Sequence, residues 1–270
     1  MPASPSPDVQ GISSWLDAAT PWQADNGVLV QTIAERQRPD YLLAALAAEL
    51  RESRFPKDLF DECAEILGLE HSAQLVRSVT PTNPNMRRGY FGEMIAARCL
   101  QEFDGCWILV QKPSFAITPN QSLPGTDVLA ACVDNGQITS LIITEAKVRT
   151  ARDRNVLLRA AQQAISDSQN EYAPMIGFVL RRLYESDKEA FGLFLDYLNR
   201  RRVGTADDFQ YVYLVLERGA WAAHDVSDLD EICPLPSGFR VSVVEIENLA
   251  QLVGQSYAWI GMVVDEHDDE

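Results

Sequence analysis

The run Thr144-Glu145-Ala146-Lys147 closes the apolar stretch Leu141-Ile142-Ile143. Strand residues two apart share a face, so Glu145 and Lys147 point the same way, together with Leu141 and Ile143. Asp127, in Pro124-Gly125-Thr126-Asp127-Val128, lies 18 positions upstream of Glu145. Two carboxylates brought together repel each other unless a cation sits between them. A divalent ion held there, with a lysine beside it, is the equipment for cleaving a phosphodiester. Oxygen donors without a histidine or thiolate favour Mg²⁺, with Mn²⁺ as the alternative. The plainer readings are a solvated ion pair at a strand end and an aspartate capping a turn.

These side chains need elements to place them. Asp127–Val133 and Gln137–Lys147 alternate as strands around Asn135-Gly136 and read as a hairpin. A two-residue loop pairs Asp127 with Thr144 and turns it away from Glu145. A shared metal therefore predicts a three-residue loop, Asp134-Asn135-Gly136, with Gly136 as a bulge and Asp127 opposite Ile143. Upstream, the spacing predicts a helix over Gly89–Phe103, with Glu93 on the face of Ala96, Ala97 and Leu100. A carboxylate on an apolar face needs a cation or hydrogen bonds. A short strand is expected at Cys106–Gln111, followed by a loop rich in Pro, Ser, Asn and Gln.

Downstream, Arg152–Asn170 reads as a helix carrying Gln162 and Gln163, and Met175–Leu180 as a strand after Pro174. A helix over Lys188–Arg200, strands at Tyr211–Glu217 and Phe239–Ile246, and a helix from Glu247 complete the pattern. Arg149, Arg152, Arg154 and Arg159 are candidates for phosphate contacts, with a solvated helix face as the rival reading.

The order helix, three strands, helix, strand resembles the PD-(D/E)xK nuclease superfamily over about residues 87–180. The acid on the second strand and Glu-x-Lys on the third carry the likeness. The resemblance implies a restriction-endonuclease-like α/β core, αβββαβ, a mixed sheet flanked by helices. It implies that Asp127 and Glu145 hold the metal, with Glu93 as a third ligand. It makes Lys147 the residue that positions water and stabilises charge on the phosphate. Gln162 or Gln163 takes a supporting place on the helix after Glu-x-Lys. The name-giving Pro-Asp pair is replaced here by Gly125-Thr126-Asp127. Within the superfamily, Arg88-Gly89-Tyr90-Phe91-Gly92-Glu93 and Ile143-Thr144-Glu145-Ala146-Lys147 resemble the nuclease subunit of Hachiman-type antiphage systems. That resemblance implies a defence role and a helicase partner that restrains the nuclease.

The 270 residues are 46% hydrophobic, enough for a substantial core. No apolar run is long enough to span a membrane. Met-Pro-Ala-Ser-Pro-Ser-Pro offers neither the basic nor the apolar part of a signal peptide. Five cysteines and no CxxC pair suit a reducing cytoplasm. The division expected is a disordered lead at 1–10, a helical N-terminal region at 11–85, a nuclease-like domain at 86–262 and an acidic disordered tail at 263–270. The net charge of −16 opposes binding to nucleic acid. It is uneven: 145–202 carries 11 Lys and Arg against 8 acids, and 225–270 carries one Arg against 11 acids. The leading expectation is a Mg²⁺-dependent nuclease acting on DNA or RNA, delivered to its substrate by a protein partner. The rival is a catalytically silent adaptor on the same fold.

Overall fold

The computed structural model describes residues 11–111, 118–121, 125–170, 172–231 and 235–265. The expected lead at 1–10, Pro124 and most of the acidic tail lie outside them. The protein is a mixed α/β structure built on one sheet. Its strands are β1 (Leu16–Ala18), β2 (Trp22–Gln23), β3 (Leu29–Glu35), β4 (Trp107–Gln111), β5 (Val128–Asp134), β6 (Gln137–Arg149), β7 (Asp207–Glu217) and β8 (Arg240–Ile246). The sheet order is β1-β3-β8-β7-β6-β5-β4, with β2 also on β3. Strands β3, β8, β7 and β6 run parallel, and antiparallel hairpin pairings flank them. Parallel strands are covered on both faces, which explains the unbroken apolar run Val212–Leu216 and the burial of the whole stretch Val241–Val244, Ser242 included.

Helices α1 (Leu42–Glu52), α4 (Pro84–Glu102) and α8 (Leu249–Asp265) cover one face. Their core takes in Phe91, Ile95 and Leu100 with Val128, Ala130, Ile142, Ala146 and Val148 of the sheet. Helices α2 (Lys57–Leu67) and α3 (Leu69–Val79) extend this layer. The other face is covered by α5 (Val156–Asn170), packed on β6 and β7, and by α6 (Tyr172–Ser186) and α7 (Lys188–Arg202), packed on the β5–β6 hairpin.

Two expectations are corrected. Residues 11–38 are not helical: they form a 3₁₀ turn and β1 to β3, and helix begins only at Leu42. In β3 the apolar residues Val30 and Ile33 are buried in the sheet, so tertiary pairing with β8 decides their conformation. Met175–Leu180 is not a strand but part of α6. Pro174 falls in the first turn, where its missing N–H costs nothing. Ile176, Val179 and Leu183, spaced by three and four, are buried against β5 and β6. Three helices thus separate β6 from the next strand, β7. Helix α8 also runs to Asp265, into the stretch expected as tail.

The β5–β6 register departs from expectation in its loop and in the partner of Asp127, which is Glu145 and not Ile143, but it puts the two acids on one face as expected. Asp134 pairs with Gln137, so the loop has two residues, Asn135 and Gly136, both with positive φ (49° and 74°). This is the backbone of a type I′ turn. The parity is then reversed by a β-bulge: Val133 pairs with Ile138 but Cys132 with Ser140, leaving Thr139 extra. Ile138 and Leu141, three apart, consequently lie in the same core layer. Beyond the bulge, Val128 pairs with Thr144, and one further step sets Asp127 opposite Glu145.

Asn83 caps α4, its side chain accepting from the N–H of Asn85 at 2.8 Å, with Pro84 as the first helical residue. Gly92 sets the depth of α4 on the sheet. A Cβ there would run into the Cγ2 of Val148, a short, stiff side chain. Gly92→Ala is expected to destabilise the fold by about 1–3 kcal/mol through overpacking. Val148→Ala added to it should recover part of that loss, as read from urea denaturation midpoints. Additive losses in the double variant would show that the two residues do not compete for space.

Candidate active site

The hairpin and the central parallel strands bring Asp127, Glu145 and Lys147 to one face. Core contacts assign Val128, Ala130, Ala146 and Val148 to the α4 side. By alternation Asp127, Glu145 and Lys147 belong to the opposite side, shared with Leu129, Leu141 and Ile143. Glu145 and Lys147 sit toward the carboxyl end of β6, at the edge where β7, β8 and β3 also end. Ligands of open α/β sheets bind at that edge.

Both acids are buried, Asp127 at 7% and Glu145 at 2% exposure. Burying a carboxylate is costly unless it is hydrogen-bonded or paired. Asp127 Oδ2 accepts from the backbone N–H of Ala146 at 2.9 Å. Lys147 Nζ pairs with Glu145 Oε1. The lysine side chain is 31% exposed while that of its partner glutamate is 3% exposed. The cation is therefore the solvent-facing member of the pair.

Glu93 is buried on α4. It bears on Tyr257 of α8, whose hydroxyl burial pushes up, with Arg87 opposing and Glu93 adding. Among the described residues no group of three or more His, Cys, Asp or Glu side chains is gathered to hold a metal ion. Mg²⁺ needs no such cage: it keeps several waters and uses one or two carboxylates plus substrate phosphate. Asp127 and Glu145 fit that requirement as a hard, two-carboxylate donor set.

Gln162 and Gln163 are exposed on α5, and Gln163 Nε2 donates to Asp167 Oδ1 at 2.6 Å. The arginine candidates are largely engaged with acids. Arg149 and Arg159 both pair with Asp153, and Arg152 pairs with Asp225 while donating to the carbonyl of Ala220 at 3.0 Å. The two arginines draw the Asp153 carboxyl below its usual range, against desolvation. Arg154 is exposed. Sequence reasoning passed over Asp153, although a single acid inside an arginine-rich run was a visible sign. It also passed over Glu217, whose carboxylate accepts from the N–H groups of Asn248 and Leu249 at 2.8 and 2.9 Å and so caps α8.

Fold and site together define a mixed α/β protein with two buried carboxylates and a lysine on one sheet face, at the carboxyl edge of its parallel strands. The chain belongs to the HamA family, whose model matches residues 13–231. It is similar to the Hachiman protein HamA of Bacillus cereus, with 27% identity over 154 residues, 56% of this chain and 54% of that protein. The match thus spans about half the length of that relative. No helix among the described residues is long and apolar enough to cross a membrane.

The Asp127 hydrogen bond separates structure from charge. Asp127→Ala leaves the buried Ala146 N–H without its acceptor and is expected to cost about 1–3 kcal/mol of stability. Asp127→Asn keeps an acceptor oxygen and should cost well under half of that, while removing the negative charge. Thermal and urea denaturation of the two variants check the order. Equal losses would mean that the carboxylate charge, not the bond to Ala146, holds the site together.

Proposed function

We propose that this protein is a metal-dependent nuclease of the PD-(D/E)xK type, acting as an effector of Hachiman antiphage defence. The observation that carries the reading is the buried pair Asp127 and Glu145 on one sheet face, with Lys147 as the solvent-facing partner of Glu145. Membership of the HamA family supports the defence role.

In this reading Asp127 and Glu145 hold Mg²⁺, with Mn²⁺ as a substitute. When bound, the ion supplies charge neutralisation at a phosphate oxygen and lowers the pKa of a water. The Ala146 N–H keeps the Asp127 carboxylate in one orientation, so little reorganisation is needed when substrate arrives. Glu145 holds Lys147 within reach of the site in the resting protein. Engagement of Glu145 elsewhere frees the ammonium to orient water and to face negative charge developing on the phosphate. Glu93, on the α4 side, acts as a supporting acid for the site or for Tyr257. DNA is the substrate favoured over RNA.

Glu145→Ala and Lys147→Ala are each expected to lower Mg²⁺-dependent cleavage by roughly 10²-fold or more, with the fold retained by circular dichroism. Chelator should abolish wild-type cleavage, and Glu93→Ala should have a smaller effect. A plasmid-nicking time course with freshly purified protein reads all of these. Cleavage by Glu145→Ala at the wild-type rate would place the chemistry elsewhere. The net charge of −16 and the pairing of Arg149, Arg152 and Arg159 with acids favour a second reading, a silent adaptor. Absence of Mg²⁺-dependent cleavage, alone and with partner, selects it.

The same charge argues for delivery. An acidic protein whose arginines are mostly neutralised approaches nucleic acid slowly by itself. A partner protein, a helicase or another motor acting on nucleic acid, brings substrate to it and restrains it until triggered. Affinity purification from the native host is expected to recover a complex. Its cleavage should exceed that of the isolated chain once nucleic acid is supplied. Recovery only as a free chain with full activity would remove the partner from the scheme.

A further inference from the structure

Cys106 and Cys132 take no part in the chemistry above. The β4–β5 pairs Trp107–Ala131 and Ile108–Ala130, continued by one step, put Cys106 directly opposite Cys132. Their sulfurs are 3.8 Å apart, and both thiols are free. The N–H of Cys106 goes to the carbonyl of Leu100 at 2.9 Å rather than across to β5. Opposed antiparallel residues have Cα atoms about 4.5–5.5 Å apart, inside the range a disulfide spans.

The two thiols are unequal. Cys106 is buried and Cys132 is half-buried, so only the second meets solvent readily. Its contact with the Cys106 sulfur draws the Cys132 thiol below its usual value, against desolvation. Low-pKa, accessible thiols beside a resolving thiol are the ones oxidants select. Cys99, by contrast, is fully buried, and burial pushes its thiol well up.

We propose that Cys106 and Cys132 form a peroxide-oxidised disulfide that staples the edge strand β4 to β5 and closes the chain segment carrying Asp127. The thiolate of Cys132 attacks hydrogen peroxide. An S–O bond forms, the O–O bond breaks, and the departing hydroxide takes a proton to become water. The sulfur of Cys106 then attacks that of Cys132. The S–S bond forms, the S–O bond breaks, and the second hydroxide leaves as water with the Cys106 proton. Two thiols and one peroxide give one disulfide and two waters. Strand β4 is bonded to β5 alone in the sheet, so the staple acts on an edge strand. Asp127 lies between the two cysteines in sequence. Any effect of the staple on cleavage rests on the proposed nuclease reading, whereas the oxidation itself does not.

The test uses the reduced, purified full-length chain treated with stoichiometric hydrogen peroxide. The intact mass is expected to fall by about 2 Da. Peptide mapping should find Cys106 joined to Cys132, and the denaturation midpoint should rise by several degrees and return on reduction. Cys106→Ser should stop at a sulfenic acid on Cys132, trapped by dimedone, and Cys132→Ser should form no disulfide through Cys106. Disulfides through other cysteines, or oxidation of Cys132 without cross-linking in the wild type, would overturn the proposal. Formation of the disulfide in a protein that proves unable to cleave nucleic acid would leave the oxidation site standing and refute only the nuclease reading.

Discussion

One strand register carries the arrangement: the pairing of β5 with β6. The type I′ turn at Asn135-Gly136 would by itself put Asp127 and Glu145 on opposite faces of the sheet. The extra residue Thr139 restores them to one face and brings the Ala146 N–H to the Asp127 carboxylate. The same bulge sorts the apolar residues, Ile138 with Leu141 and Ile143 toward α6 and α7, Ile142 with Ala146 and Val148 toward α4. Core layering and the relative position of the acids are therefore one constraint. A shift that misplaced the acids would also expose the core, which is why the register is held so firmly.

Buried charge recurs through this fold, and at Glu35 and Asp104 it is compensated by several donors. Glu35 accepts from Trp15 Nε1 at 2.9 Å and from the N–H of Glu247 at 2.7 Å, and pairs with Arg38. These donors outweigh desolvation and hold its carboxyl below the usual range. Arg240 reaches Asp104 at 2.7 Å beneath the sheet, and Tyr213 donates to the same carboxylate at 3.1 Å. Such networks fasten β3, β8 and the α4–β4 connection to one another. The pair at the carboxyl edge of β6 follows the same pattern, a buried Glu145 held by a partly exposed Lys147.

The HamA family match runs from residue 13, so it takes in β1 to β3 as well as the central strands. Strand β3 is hydrogen-bonded to β8 along six residue pairs and is part of the same sheet as β6. The N-terminal residues are thus sheet first and helix second. Helices α2 and α3 leave Leu59, Ile66 and Leu67 exposed.

The sequence alone determined what local pattern determines. The apolar stretch up to Glu145-Ala146-Lys147 marked β6, Asn135-Gly136 marked the turn, and the apolar-rich stretches of β7 and β8 marked strands. Helices α4, α5, α7 and α8 followed from 3.6-residue spacing. What tertiary structure decided lay beyond any local window. Residues 29–35 are strand because β8 offers them a ladder, and 175–180 are helix because β5 and β6 offer their apolar stripe a surface. The bulge at Thr139 has no local signature, because its stabilisation comes from burying Ile138 and Leu141 together. Side-chain type states which chemistry is available. Which groups meet is settled by the register and packing that bury the most apolar surface without stranding a charge.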